Sequence, residues 1–226
     1  MNVSNADQTR IAAAIAAAEQ RTAGEIFCVV SRSASAYHDV SLAWAAGAAL
    51  LLPLLLLPLG LDVDWPGGGG WQAAHDAARS ATVAQAIGLY AFIQAVVFIG
   101  VFLLTRIPAV LRLAAPRGLR RARVRKAALQ QFFAHGVHVT RERTGVLLFA
   151  ALEEHQVELV ADEGIHALVD EDVWADAVAA LTRGLRADDP VQGFETAIGL
   201  CGEVLAAHFP PRADNPNELP DHLVLL

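Results

Sequence analysis

The residues best suited to chemistry in this chain are carboxylates. Asp162 closes a short apolar run, at the kind of strand end where ligands commonly bind in α/β sheets. Glu163, Asp170, Glu171 and Asp172 follow within a few positions. Hard cations take several oxygen ligands, so this stretch has the donors for Ca2+ or another divalent cation, with Asp162, Asp170 and Asp172 as candidate ligands. The spacing is not that of an EF-hand, which needs a glycine at its sixth position and a glutamate at its twelfth. Asp170, Glu171 and Asp172 also suit the first turn of a helix, where acidic side chains complement the helix dipole, and both readings stay open.

Arg143 is a candidate to hold an anion, or to pair with Asp162 as a structural partner. His135, His138, His155 and His166 have no spacing of a standard zinc site and read as solvated histidines. Nucleophilic catalysis is not legible. Cys28 and Cys201 each sit in an apolar run, lack the arginine of a C-x5-R phosphate loop and read as buried thiols. Ser31, Ser33 and Ser35 follow an apolar run with no identifiable base, and the Gly67–Gly70 run lacks the lysine of a nucleotide-phosphate loop.

Several elements must position these groups. Ser4-Asn5-Ala6-Asp7 reads as a helix cap, and Ile11 and Ile15 place a helix up to about Arg21. Residues 25–30, 146–150 and 157–161 are short apolar runs that predict strands, the last two joined as a hairpin through the polar turn 153–156. Residues 117–135 predict a basic helix carrying Arg117, Arg120, Arg121, Arg123, Arg125 and Lys126, with Phe132 and Phe133 available for packing. A helix holding Trp174, Val178 and Leu181 follows, then a last helix over 191–208 and a turn-rich tail. A lone helix and strand before residue 40 cannot bury a core, so strand 25–30 must join the sheet built by the later strands.

Between these parts lie two uncharged blocks, 41–61 and 83–104. Each matches the length that crosses a bilayer as a helix, and prolines such as Pro53 and Pro58 are tolerated there. The chain is 54% hydrophobic and only 18% charged, against about 25% charged in soluble domains. The expectation is an integral membrane protein: 1–40 and 105–226 form one cytoplasmic domain, and 41–104 is an inserted transmembrane hairpin with an outer loop over 62–82. That loop holds Arg79 as its sole cation, whereas the basic helix follows the second block directly. The positive-inside rule then puts both termini in the cytoplasm of a cell whose inner membrane holds the two spans. About 40 residues of foldable sequence precede the first block, so no signal peptide is expected. Trp44, Trp65 and Trp71 fall near the predicted interfaces, and the basic helix is placed at the membrane surface. The expected partners are the lipid bilayer, with a membrane protein complex or self-association through the hairpin. A net charge of −7 argues against nucleic acid.

Four segments carry a resemblance. Thr22-x-Gly24-Glu25-Ile26 leading into Val29-Val30, Arg143-Thr144-Gly145-Val146-Leu147, and the run from Val157 through Asp162-x-Gly164-Ile165 resemble the TPM domain (TPM phosphatase) family. The closing Asn217-Glu218-Leu219-Pro220-Asp221 resembles its bacterial membrane-anchored subgroup. That resemblance implies an α/β domain with a central sheet covered by helices, here interrupted by the hairpin. It also implies, for different members, acid phosphatase activity, binding of calcium, or assembly of membrane complexes. Two functional expectations follow. One is an interaction or assembly module with a divalent-cation site. The alternative is a metal-assisted phosphatase at the cytoplasmic membrane surface, in which the cation polarises phosphoryl oxygens.

Overall fold

In the computed structural model, residues 4–56 and 83–226 are described. They group into two compact units, divided after Ala36 and after Pro116. The larger unit is built from residues on both sides of the smaller one.

Helix α1 (Asn5–Glu19) starts at a complete capping box: Ser4 Oγ accepts from the Asp7 N–H, and the Asp7 carboxylate accepts from the Ser4 N–H. Its Ile11 and Ile15 are fully buried. Strand β1 (Glu25–Ser31) and strand β2 (Gly145–Ala151) are buried at every residue, the pattern of strands covered on both faces. They pair in parallel, with Glu25 opposite Gly145 and Ser31 opposite Ala151. Strand β3 (Gln156–Ala161) folds back antiparallel to β2. Strand β4 (Leu223–Leu225), read as part of a turn-rich tail, adds in parallel to the other side of β1. The sheet order is therefore β3-β2-β1-β4.

Side chains alternate between the two faces, as the strand period requires. Ile26, Cys28, Val146 and Leu148 pack with α1 and with two later helices. On the other face Phe27, Val29, Leu147 and Phe149 meet the basic helix. Cys28 and Cys201 are both buried and not disulfide-bonded.

Among the described residues the smaller unit holds the helices α2 (His38–Leu56), α3 (Val83–Thr105) and α4 (Pro108–Ala114). Here the sequence-based expectation is corrected. Among the described residues no helix is long and apolar enough to cross a membrane. That finding overturns the integral membrane protein, its transmembrane topology and its inner-membrane location. Helix α2 begins at His38 with Asp39 in its first turn. Trp44, expected at a membrane interface, donates its Nε1–H to the Ala114 carbonyl at 3.0 Å. Gln94 interrupts the second apolar block and donates to the Ala49 carbonyl and the Tyr90 hydroxyl. The end of the first predicted span (57–61), the outer loop 62–82, Trp65 and Trp71 lie outside the described residues.

The larger unit continues with α5 (Arg117–Ala134), the short α6 (Glu163–His166), α7 (Ala175–Arg186) and α8 (Pro190–His208). A 3-10 turn, Glu171–Trp174, leads into α7. At Gly164 the backbone of the preceding loop comes very close. A Cβ there would lie 2.5 Å from the Glu142 carbonyl oxygen and 2.7 Å from that of Arg143. Gly199, within α8, has nothing within 4 Å of an added methyl. Urea denaturation should therefore separate two chemically identical substitutions. Gly164→Ala lowers the unfolding free energy by about 2–3 kcal/mol, and Gly199→Ala raises it by about 0.5–1 kcal/mol.

Candidate functional site

The hairpin β2–β3 delivers Asp162 to the end of the sheet, where its N–H donates to the Gly145 carbonyl at 2.9 Å. Its Oδ1 caps α6 by accepting the Glu163 N–H at 2.7 Å. Arg143 lies against the same oxygen, with Nη2 at 3.3 Å, and reaches Glu163 Oε2 at 3.5 Å. Asp162 is only 3% exposed, and its Oδ2 has no hydrogen-bond partner among the described residues. Arg143 is held at φ 57°, in the left-handed region, by a loop closed through its N–H to the Thr140 carbonyl. The guanidinium thus stands where a cation would neutralise Asp162.

Asp170 precedes the 3-10 turn and makes no side-chain cap, and Asp172 lies exposed on that turn. Among the described residues no group of three or more His, Cys, Asp or Glu side chains is placed to hold a metal ion. The histidines are dispersed: His135 lies against Phe27 at 4.9 Å between ring centroids, and His138 against Phe133 at 5.1 Å.

A different set of side chains does converge. Helix α5 buries Val124, Ala128 and Phe132 against the sheet, a four-residue spacing that fixes one face inward. The arginines are left on its flanks. A cavity of about 1160 Å³ opens beside it, bounded by α5, the 154–158 turn and strand, and α7. Arg117, Arg120, Arg121 and Arg125 line one wall, and Arg186 of α7 lines the other. The lining carboxylates are Glu154 and Glu158. Glu158 is engaged by Arg125, Nη1 to Oε1 at 2.7 Å. Glu154 turns toward the loop after β1, where its Oε1 accepts from the Ser33 hydroxyl and the Ala34 N–H. Five arginines against two carboxylates leave a surplus of positive charge in one concave site. Arg120 Nε is buried and has no hydrogen-bond partner among the described residues.

Of the basic residues singled out in the sequence, Arg123 and Lys126 do not line this cavity. Arg123 donates to Ser35 Oγ at 3.0 Å. Arg186 and the β3 strand were not anticipated as parts of the site. Nothing in the local sequence signals them, because α7 meets α5 only across the folded sheet.

A second ionisable cluster joins α1, β1 and the tail. Glu19 is 8% exposed, and its Oε1 accepts the Ile26 N–H at 2.8 Å. Burial pushes its carboxyl up to about 9, and the nearby Glu25 and Asp221 push it the same way. Glu25 accepts the Leu219 N–H at 3.2 Å and is also raised, chiefly by burial. The spacing Ile11, Ile15, Glu19 carries the one sequence signal of this burial, since all three fall on one helix face.

No family model matches the chain, and no curated protein matches it. Among solved structures, the chain is similar to the BA42 protein of the psychrophilic bacterium Bizionia argentinensis, determined by NMR, with a TM-score of 0.57 and 17% identity. The match covers 100% of this chain and 97% of that one. At that identity the likeness shows the fold alone: a mixed α/β domain whose four-stranded sheet is covered by helices. The TPM and phosphatase assignments find no support in a family model, and the phosphatase reading is corrected. Asp162, its candidate ligand, has Arg143 Nη2 3.3 Å from its Oδ1.

The raised carboxyl of Glu19 gives a pH test. Between about 4.5, the ordinary value, and about 9, the folded chain holds a proton that the unfolded chain releases. The associated stability is fully present below the lower value and is lost as pH rises toward the upper one. Glu19→Gln keeps the acceptor for Ile26 and removes the titration. Thermal melts from pH 5 to 9 should show a flatter profile for the variant, which is more stable than the natural chain by about 1–3 kcal/mol at pH 8.

Proposed function

We propose that this protein is a binding protein whose arginine-lined groove takes a ligand carrying two or more phosphate or carboxylate groups. The observation that carries this reading is the convergence of five arginines on one cavity, in a chain of net charge −7. An acidic protein gains nothing in solubility from concentrating its cations in a concavity, whereas a polyanion gains several charge-assisted hydrogen bonds there. Arginine suits the task because its planar fork binds carboxylate and phosphate oxygens in pairs. Arg125 is already aligned by Glu158, so the binding contacts fall to Arg117, Arg120, Arg121 and Arg186. Gln156, which also lines the cavity, offers a neutral amide donor.

Calorimetric titration of the full chain with inorganic tripolyphosphate tests this. Saturable binding is expected, weakened about tenfold or more by Arg120→Ala with Arg121→Ala, and weakened by added salt. Arg10→Ala, which removes an ion pair to Glu195 away from the groove, leaves the affinity unchanged. Binding that ignores the groove pair, or no binding by the folded chain, contradicts the reading.

A further inference from the structure

The groove runs along an open sheet edge. Strand β3 is the outermost strand, and among the described residues no strand pairs with its outer side. Its register with β2 tells which backbone groups face outward. The Asp162 N–H is bonded to the Gly145 carbonyl, and Ala161 stands opposite Val146. In an antiparallel ladder bonded and non-bonded pairs alternate. Residues 160, 158 and 156 therefore turn their N–H and C=O groups to β2, and Val157, Leu159 and Ala161 turn theirs to the open edge.

A smaller cavity of about 240 Å³ follows this edge, lined by residues 157–161 together with Trp174, Ala175 and Val178. It shares Arg125, Val157, Glu158 and Val178 with the arginine-lined cavity, so the two form one continuous trough. Its walls differ. On the α5 side stand Arg117, Arg120, Arg121 and Arg125; on the α7 side stand Val178, Ala175 and Trp174, with Arg186 at the C-terminal end of that helix. Trp174 is 4% exposed, and its Nε1–H has no acceptor among the described residues. An exposed strand edge of this length invites pairing with another chain unless something blocks it.

We infer that the trough takes an extended acidic peptide segment, which adds to the sheet as a fifth strand on the outer edge of β3. The inference rests on the groove's anion-binding reading and specifies its ligand. Strand addition supplies main-chain hydrogen bonds for affinity and side-chain pockets for specificity. A strand laid beside β3 alternates its side chains between the two walls. One set meets the arginines and must be acidic; the other meets Val178, Ala175 and Trp174 and must be apolar. The partner sequence is thus an alternation of acidic and apolar residues, with its backbone bonded to Val157, Leu159 and Ala161.

The test uses the full chain and an acetylated, amidated heptapeptide alternating glutamate and valine. Affinity is read by calorimetry and strand pairing by amide hydrogen exchange. The peptide should bind, slow exchange at Val157, Leu159 and Ala161, and lose affinity about tenfold or more when its β3-facing amides are N-methylated. Replacing its glutamates by lysines abolishes binding. Binding that survives N-methylation without new protection overturns strand addition but leaves the anion groove standing. So does binding of tripolyphosphate without binding of the peptide. Failure of both probes on the folded chain overturns both readings.

Discussion

The larger unit depends on one pairing, the parallel ladder between β1 and β2. It joins segments about 120 residues apart in sequence, from Glu25 opposite Gly145 to Ser31 opposite Ala151. Closing so long a loop costs only slowly growing entropy, and burying both strands completely offsets it. Everything else follows from this ladder. With β1 and β2 at the centre, β4 takes one side and the hairpin puts β3 on the other. Helix α5 covers one face, and α1, α7 and α8 cover the opposite face. The edge at β3 is therefore the line where α5 and α7 can both approach from opposite faces, and there the groove lies.

Charge is divided within this architecture. Buried carboxylates such as Glu19, Glu25 and Asp162 serve backbone N–H groups at strand and helix ends. Asp162 also has Arg143 beside it. Among the described residues Glu19 has no salt bridge, and its raised carboxyl follows from its burial. The arginines of α5 are arranged in the opposite sense. Among the described residues, Arg125 is the groove arginine that has a salt bridge. A ligand carrying negative charge meets donors already gathered, which lowers the ordering cost of binding.

Much of the larger unit was legible in the sequence. Strands expected at 25–30, 146–150 and 157–161 appear as Glu25–Ser31, Gly145–Ala151 and Gln156–Ala161. Their composition leaves little choice, since β-branched and apolar runs bounded by Gly, Ser and Asp make poor helices. The helix expected at 117–135 appears as Arg117–Ala134 because its four-residue apolar spacing survives the run of arginines. The short β4 was missed, since three residues carry no period and acquire strand geometry only through β1. The uniform apolar blocks misled for a related reason. Apolarity alone does not make a helix a membrane span, and both the polar start of α2 and the position of Gln94 break the apolar pattern. Asp162 was legible both as a candidate cation ligand and as a partner for Arg143, whose Nη2 lies 3.3 Å from its Oδ1. Arg186 was invisible as a groove residue because only the sheet brings it opposite α5.

The measurement that bears most directly on the groove is amide chemical-shift mapping of the full chain during titration with tripolyphosphate. The account predicts saturable shifts concentrated on Arg117–Ala134, on residues 154–158 and on the C-terminal half of Ala175–Arg186. Shifts centred instead on the Arg143–Asp162 loop, or scattered over the surface without saturation, would contradict it.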